Sequence, residues 1–391
     1  MVCSKIKENE KKLIGAHIGD LENLETINAF KSLLDSFEID NYEFREKPFY
    51  INPDNKVNYI FNSSIKGIED SDCIVLIGSN PRHEATMVNA RIRKTFISKK
   101  IPIYSFGNPG DLTYDYKIVG NSTEDLKKFL NKENEESKVF LKSKKPIVII
   151  GESALETKSG KYIFENIKKF LSDNNFINEK WNALNILVQN ASTVGAIDLG
   201  FFKKNKSENF EFFNKLKNHE FNLLYFVGSD NLDFTKKDEF IIYQGSHGDR
   251  IAQIADIILP SPAFTEQNGL YLNIEGRLQK SIKASYPPGI SKESWKIFNL
   301  ISMKINNRDL FKNFNELRNY TLKMIKKGYE FDLLPKTNIS NLNIINTDFV
   351  DNEILIKDID YYFSNSISRS SKTMSDCRAA RSKKLISKTG T

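Results

Sequence analysis

The sequence predicts an α/β protein made of several lobes of doubly wound parallel sheet. Three observations carry that expectation. The first is a trio of short apolar runs that end alike: I-V-L-I-G-S-N at 74–80, I-V-I-I-G-E-S at 147–153 and L-Y-F-V-G-S-D at 224–230. Each is β-branched or aromatic, continuous rather than alternating, and stops at a glycine before a polar pair. Such runs are strands buried on both faces, as in a parallel sheet, and the glycine suits a tight turn into a helix. The second is the helical spacing between them. Ala85, Val88, Ile92 and Phe96 follow the first run, and Ile163, Ile167, Phe170 and Leu171 the second, each set on one helix face. The third is the strand–helix alternation itself, which implies right-handed crossovers between parallel strands.

Further elements fall in order. Apolar runs recur at 240–243, F-I-I-Y, and 256–259, D-I-I-L. Residues 263–280 alternate at Leu270, Leu272 and Ile274 and read as a hairpin-like loop, and a helical segment is expected near 309–326. The glycines at 78, 151 and 228 are too widely spaced for a solenoid repeat. The charged stretch 131–145 reads as a surface connection between lobes, and 202–218 is similar. The division expected is a first lobe over 1–145, a second and third α/β region over 146–330, and an irregular C-terminal extension over 331–391. From Arg378 onward the chain is basic and poor in apolar residues, which fits a frayed tail or a partner-binding arm.

Composition excludes several functions. The chain has 391 residues, 40% of them hydrophobic, enough for a substantial core. Fifty acids nearly balance 57 bases, so a net +7 does not make a nucleic-acid binder. Cys3, Cys73 and Cys377 are scattered; there is no C-x-x-C for a zinc ribbon or a local iron–sulfur run. His17, His83, His219 and His247 show no metal-ligand spacing, and His83-Glu84 lacks a second histidine four residues on. No apolar run reaches the length of a membrane helix. The N-terminus lacks an apolar signal core, and its acids argue against a typical mitochondrial presequence. The chain is therefore expected to be mature, made in its own compartment, or addressed in another way.

Four segments are candidates for chemistry. Gly78-Ser79-Asn80-Pro81 is neither a P-loop nor a G-x-G-x-x-G turn. It lies where open α/β sheets dock ligands, and it equally well just closes a βα loop. Arg82, Arg91 and Arg93 can clamp an anion or serve as salt-bridged surface; Arg91 and Arg93, two apart on a helix, point to different faces. Y-Q-G-S-H-G-D-R at 243–250 sets His247 beside Asp249 between Gly245 and Gly248. That is an acid–base pair or a tight loop bonded to its own backbone, and no G-x-S-x-G elbow exists to partner it. The densest segment holds Gly269, Asn273, Glu275, Gly276, Arg277 and Gln279.

That last segment, E-x-x-G-x-Y-x-N-x-E-G-R-x-Q from Glu266 to Gln279, is similar to a signature of the molybdopterin oxidoreductase superfamily. More closely, the chain resembles the carboxyl-terminal part of the largest iron–sulfur subunit of respiratory complex I, the NADH:ubiquinone oxidoreductase. The resemblance rests on L-I-G-S-N-P-R-H-E-A-T-M-V-N-A-R-I-R-K, G-N-P-G-D-L-T-Y-D-Y at 107–116, F-I-I-Y-Q-G-S-H-G-D at 240–249 and N-S-I-S-R-S-S-K-T-M-S-D-C at 365–377. The matches run in order from about residue 12 to 377.

The resemblance implies a molybdopterin-oxidoreductase-like fold that has lost its cofactor. It also implies iron–sulfur clusters on an amino-terminal portion whose cysteine runs this chain lacks, hence a split subunit with that half on a separate chain. No residue is assigned a catalytic, cofactor-binding or metal role, and Cys73 is expected to be a small buried hydrophobe. The expected function is a non-catalytic scaffold in the matrix arm of mitochondrial complex I, peripheral to the inner membrane. Its partners would be the cluster-bearing half and neighbouring subunits, without nucleic acid or a transmembrane segment of its own. The alternatives are a working molybdopterin oxidoreductase subunit, with bound molybdenum or tungsten and a pterin, and a vestigial small-ligand or anion site near Gly78–Arg82 or Gly245–Asp249 without redox chemistry.

Overall fold

The computed structural model describes residues 1–391 except 20, 203–209, 230–231, 249, 326–328, 340–341 and 390–391. Asp249, one half of the expected acid–base pair, therefore lies outside the described residues, as does Asp230 of the third strand–turn.

All three predicted glycine-terminated runs are strands of parallel sheets, and the architecture is α/β. Twelve strands are described: β1 Ile14–Ile18, β2 Asn41–Glu43, β3 Cys73–Ile77, β4 Ile103–Phe106, β5 Lys117–Gly120, β6 Pro146–Gly151, β7 Leu184–Leu187, β8 Leu223–Val227, β9 Phe240–Gly245, β10 Ile257–Pro260, β11 Gly269–Leu272 and β12 Leu278–Ser281. They form a five-stranded sheet ordered β10-β9-β8-β1-β2, a second ordered β5-β4-β3-β6-β7, and the hairpin β11-β12. Every pairing within the two large sheets is parallel and the hairpin is antiparallel. β3 and β6 are buried along their whole length, which is why they read as continuous apolar runs.

The expected boundary at 145/146 does not divide the molecule. β3 and β6 are neighbours in register, Cys73 opposite Pro146, so that cut would split the second sheet. β1 and β2 belong with β8–β10, two hundred residues on, so 1–145 holds strands of both sheets. Reading lobes in chain order misses this because β1 finds its partner, β8, only after the whole second sheet has been laid down. One apolar core runs through both sheets, from Ala16 and Tyr225 to Val75 and Ile150. The stretch 131–145 likewise joins no lobes; it contains the helix Glu135–Lys142, which leads into β6.

The helices follow the periodicity. Thr86–Lys99 buries Val88 and Ile92, and Gly160–Asp173 buries Ile163, Ile167, Phe170 and Leu171. The segment near 309–326 contains the helix Phe314–Met324.

Among its described residues the extension is irregular from 331 to 360 but is laid down by buried polar pins. Lys168, paired with Glu165 at 2.6 Å and wholly buried, donates to the Asn343 carbonyl. Glu165 accepts from the Ile345 N–H and from Tyr50 and Asn52. Beyond this the expected frayed tail is instead helical, Lys372–Thr389. Arg378 folds back onto Asp360 and the Phe363 ring, and Arg381 onto Asp358. Local cation–carboxylate pairing gives the basic tail a reason to order that composition alone does not reveal.

Candidate functional site

Each large sheet reverses its winding once, between β1 and β8 in the first and between β3 and β6 in the second. Such switch points open a crevice beyond the carboxyl ends of the strands. Both are built with glycine pairs. Gly78, just after β3, has φ +55°, and a Cβ on Gly151 would lie 2.4 Å from its carbonyl oxygen. Gly228, just after β8, has φ +58°, and a Cβ on Gly19 would lie 1.9 Å from its carbonyl oxygen. At both places the two turns approach too closely for any side chain.

The two sets of strand ends face one crevice of about 880 Å³. His83 and Glu84 reach it from the turn after β3, Leu21 and Glu22 from the turn after β1, Gly228 and Ser246 from those after β8 and β9. Of the two candidate turns, Ser246 of Gly245–Asp249 lines this space, whereas Gly78–Arg82 is not among its lining residues and reaches it only through the His83 and Glu84 that follow. Much of the rest of its wall comes from the C-terminal extension, through Asp358, Asp360, Phe363, Arg369 and Arg378, with Lys47, Gln189, Gln267 and Tyr271 among its other lining residues.

The polar groups of the wall largely satisfy one another. Asn80 caps the helix Pro81–Glu84, and the Glu84 carboxylate accepts from the Asn80 N–H at 2.9 Å and from Ser79 Oγ at 3.1 Å. Burial pushes the Glu84 carboxyl up to about 7, against those two bonds. Lys47 bridges Glu156 at 3.2 Å and Gln189 at 3.3 Å, and Lys357 reaches the same Glu156. His83 Nδ1 lies 3.4 Å from Asp358. His247 pairs with the Ser246 hydroxyl at 2.9 Å, and its carbonyl accepts from Tyr243. No group of three or more His, Cys, Asp or Glu side chains poised for a metal occurs among the described residues.

The arginines do not converge on a ligand. Arg82 pairs with Asp111 at 2.5 Å, Arg93 donates to the Thr113 carbonyl, and Arg91 pairs with Glu69. Asn89 donates to the Leu112 carbonyl and accepts from Tyr114, while Asn80 donates to the Pro109 carbonyl. The N-P-R-H-E-A-T-M-V-N-A-R-I-R-K and G-D-L-T-Y motifs are therefore two halves of one interlocked loop structure.

The 266–279 signature is also internal bracing. Asn273 Oδ1 accepts from the Glu275 and Arg277 N–H groups and closes the hairpin tip. The buried Glu275 accepts from the Ile65 N–H, and Phe61 donates to the Ile274 carbonyl. Gly276, at φ +74°, would press a Cβ to 2.9 Å from Pro335. Gly269 packs on Asn23, and Leu270 donates to Glu25.

A dithiolene cofactor needs a protein ligand for its metal, usually Cys or Ser, and a line of phosphate contacts; the crevice has Ser246, Ser364 and Ser366 and cations such as Lys47 and Arg369 in its wall. No cysteine lines it. Cys73 begins β3 at the far end of the strand, and burial pushes its thiol up to about 12. The part played by 350–381 was invisible in the sequence. His83 and Asp358 are 275 residues apart, and nothing periodic or compositional links them.

Two winding reversals meeting over one crevice define the class: an α/β fold of the molybdopterin-enzyme kind. The chain belongs to the molybdopterin oxidoreductase family, whose model matches residues 1–304. Its relatives include the mitochondrial NADH-ubiquinone oxidoreductase 78 kDa subunit of Neurospora crassa, 34% identical over 95% of this chain and 50% of that protein. They also include the NADH-ubiquinone oxidoreductase 75 kDa subunit of Reclinomonas americana, 32% identical over 95% of this chain and 55% of that one. A third is the mitochondrial NADH-ubiquinone oxidoreductase 78 kDa subunit of Candida albicans, 33% identical over 95% of this chain and 51% of that one. The chain spans about half the length of these relatives. Among solved structures, acetylene hydratase from Pelobacter acetylenicus shares the fold, with a TM-score of 0.56 at 13% identity, over 83% of this chain and 60% of that one.

Proposed function

We propose that this chain is a non-catalytic scaffold in the matrix arm of mitochondrial complex I, packed against a separate cluster-bearing half of the same subunit. The observation that carries the reading is the use made of the shared motifs. Their arginines, asparagines and glutamates tie loops to loops and do not aim at a common point in the crevice. The match to complex I subunits over 95% of this chain supports a place in that assembly.

On this reading the iron–sulfur clusters belong to that second chain, and no pterin is bound here. The three thiols lie in different surroundings: Cys73 is buried, Cys3 partly buried and Cys377 exposed. Exposed apolar side chains give the scaffold something to dock with. Ile282, Tyr286 and Ile290 stand out from the loop after β12, at 73%, 77% and 82% exposure. No helix among the described residues is long and apolar enough to cross a membrane, which fits a peripheral position.

The test is a native gel of solubilised mitochondrial membranes stained for NADH oxidation, with this chain traced by mass spectrometry. The scaffold reading expects it in the large NADH-oxidising band beside a distinct cluster-bearing chain. Migration as a small soluble species carrying molybdenum and pterin would replace it with the working molybdopterin oxidoreductase. One observation favours a further reading, a small-ligand site without redox chemistry: the crevice keeps about 880 Å³ that side chains do not fill.

A further inference from the structure

The extension does more than follow the family domain. From 350 to 358 it crosses the carboxyl ends of four of the second sheet's five strands, β5, β4, β6 and β3. Thr123, just past β5, donates to the Asn352 carbonyl and accepts from the Asn352 N–H, both at 2.9 Å, and Ile354 donates to the Asn121 carbonyl at 2.7 Å. At the end of β4 it lies on Gly107, where a Cβ would be 2.9 Å from the Ile354 carbonyl oxygen and 3.2 Å from Ile356. Past β6, Lys357 donates its N–H to Ser153 Oγ at 3.1 Å and its ammonium to Glu156. Past β3, Asp358 sets a carboxylate 3.4 Å from His83 Nδ1, and Arg381 returns from the last helix to the same carboxylate. Ile354 is 1% exposed and belongs to the main core.

In open parallel sheets this edge is where dissociable ligands lie, their anionic groups against the turns that follow the strands. We propose that residues 350–358 are a built-in occupant of the second sheet's ligand edge, with the Asp358 carboxylate standing where a ligand's anion would. This deepens the scaffold reading and rests on it for its purpose: the edge that would recruit a cofactor is closed by the chain's own backbone. What remains of the crevice is bordered by turns of both sheets, Leu21–Glu22 and Ser246 of the first and His83–Glu84 and Gln189 of the second, and by the same extension.

Hydrogen–deuterium exchange on the full chain tests this, read on peptides covering 350–358, because amide exchange reports how often a segment opens. Gly107 has φ +89° and faces the strap; Gly110 has φ +73° and nothing within 4 Å. Gly107→Ala and Gly110→Ala therefore both strain a loop, but only the first pushes on Ile354. Slow exchange is expected in the natural chain, roughly tenfold faster exchange in G107A, and no change over 350–358 in G110A. Asp358→Ala, which leaves the backbone untouched, is expected to speed exchange severalfold. Added inorganic pyrophosphate is expected to change nothing. Fast exchange in the natural chain, equal effects of G107A and G110A, or opening of the strap by pyrophosphate would each overturn the proposal. The readout is made on the chain itself and is blind to complex membership, so its failure and failure of the scaffold reading are told apart.

Discussion

The two large sheets are near copies in plan and differ in what covers them. Each is five-stranded and parallel, each reverses its winding between a pair of central strands, and each closes that reversal with two glycines. The second sheet's carboxyl edge is crossed by residues 350–358 of the same chain. The first sheet's described turns, Leu21–Glu22, Gly228 and Ser246, carry no such strap and border open crevice, which His83 and Glu84 of the second sheet also line. The fold supplies two equivalent ligand edges. What closes one of them is sequence that begins after the family match ends at residue 304. On the proposed reading, closing a ligand edge needs no change in the strands, only an added segment with a place to lie.

The largest effects should come from the buried ion pairs, one near each sheet. Removing one member leaves an uncompensated buried charge and costs about 3–5 kcal/mol. In the second sheet's region, Glu165→Ala strands the wholly buried Lys168 and releases the Asn343–Ile345 backbone it holds. In the first, Arg45→Met strands Glu43, which lies 2.7 Å away and on which Arg45 rests among Phe49 and Phe202. Urea unfolding should show both losses. Only Glu165→Ala should also speed hydrogen exchange around 343–354; equal exchange in the two variants would break the contrast.

The glycine reversals should separate next. Gly78→Ala places a Cβ 2.6 Å from the Ala154 Cβ, an atom close to the backbone that cannot swing away. Gly228→Ala places it 2.3 Å from Glu22 Oε1, the far end of a flexible side chain. Left-handed strain of roughly 1–2 kcal/mol applies to both, and overpacking of roughly 1–3 kcal/mol to the first. Urea midpoints should therefore fall further for Gly78→Ala, and the reverse order would show that the second switch point is the softer one.

The sheets should also answer pH with opposite signs. His17 in β1 is fully buried, its Nε2–H donating to the Arg45 carbonyl, and burial lowers it from 6.5 to about 4. The folded state then binds fewer protons than the unfolded chain between those values. Its contribution is full above pH 6.5 and lost as pH falls through that window. Glu84, raised from 4.5 to about 7, does the reverse. Its contribution is full below pH 4.5 and lost as pH rises toward 7. Thermal unfolding across this range should show His17→Gln removing the acid-side loss and Glu84→Gln the opposing one, each by about 2–4 °C. The smallest effect is expected at Arg82–Asp111, a partly exposed pair. Asp111→Ala should shift stability by no more than ~1 kcal/mol.

Much of the second sheet was legible because β3 and β6 are fully buried and their helices are local with one buried face, so composition and period both point to them. The hairpin at 269–281 was legible from alternation. The division of the chain was not, because β1 pairs with a strand two hundred residues away and short strands such as Asn41–Glu43 carry no pattern. The crevice was half legible: Gly78 and Gly228 announced their turns, but nothing near 358 pointed to His83. The tail misled most, since lysines and arginines read as solvated until Asp358 and Asp360 are found beside them.

We propose that this chain contributes form without a redox group. This proposal is tested most directly by isolating the native assembly through a tag on this chain and counting molybdenum, tungsten and iron per copy. The account predicts iron in the assembly, none on this chain once separated, and no stoichiometric molybdenum or tungsten. One molybdenum or tungsten per copy, retained by the separated chain, would contradict it.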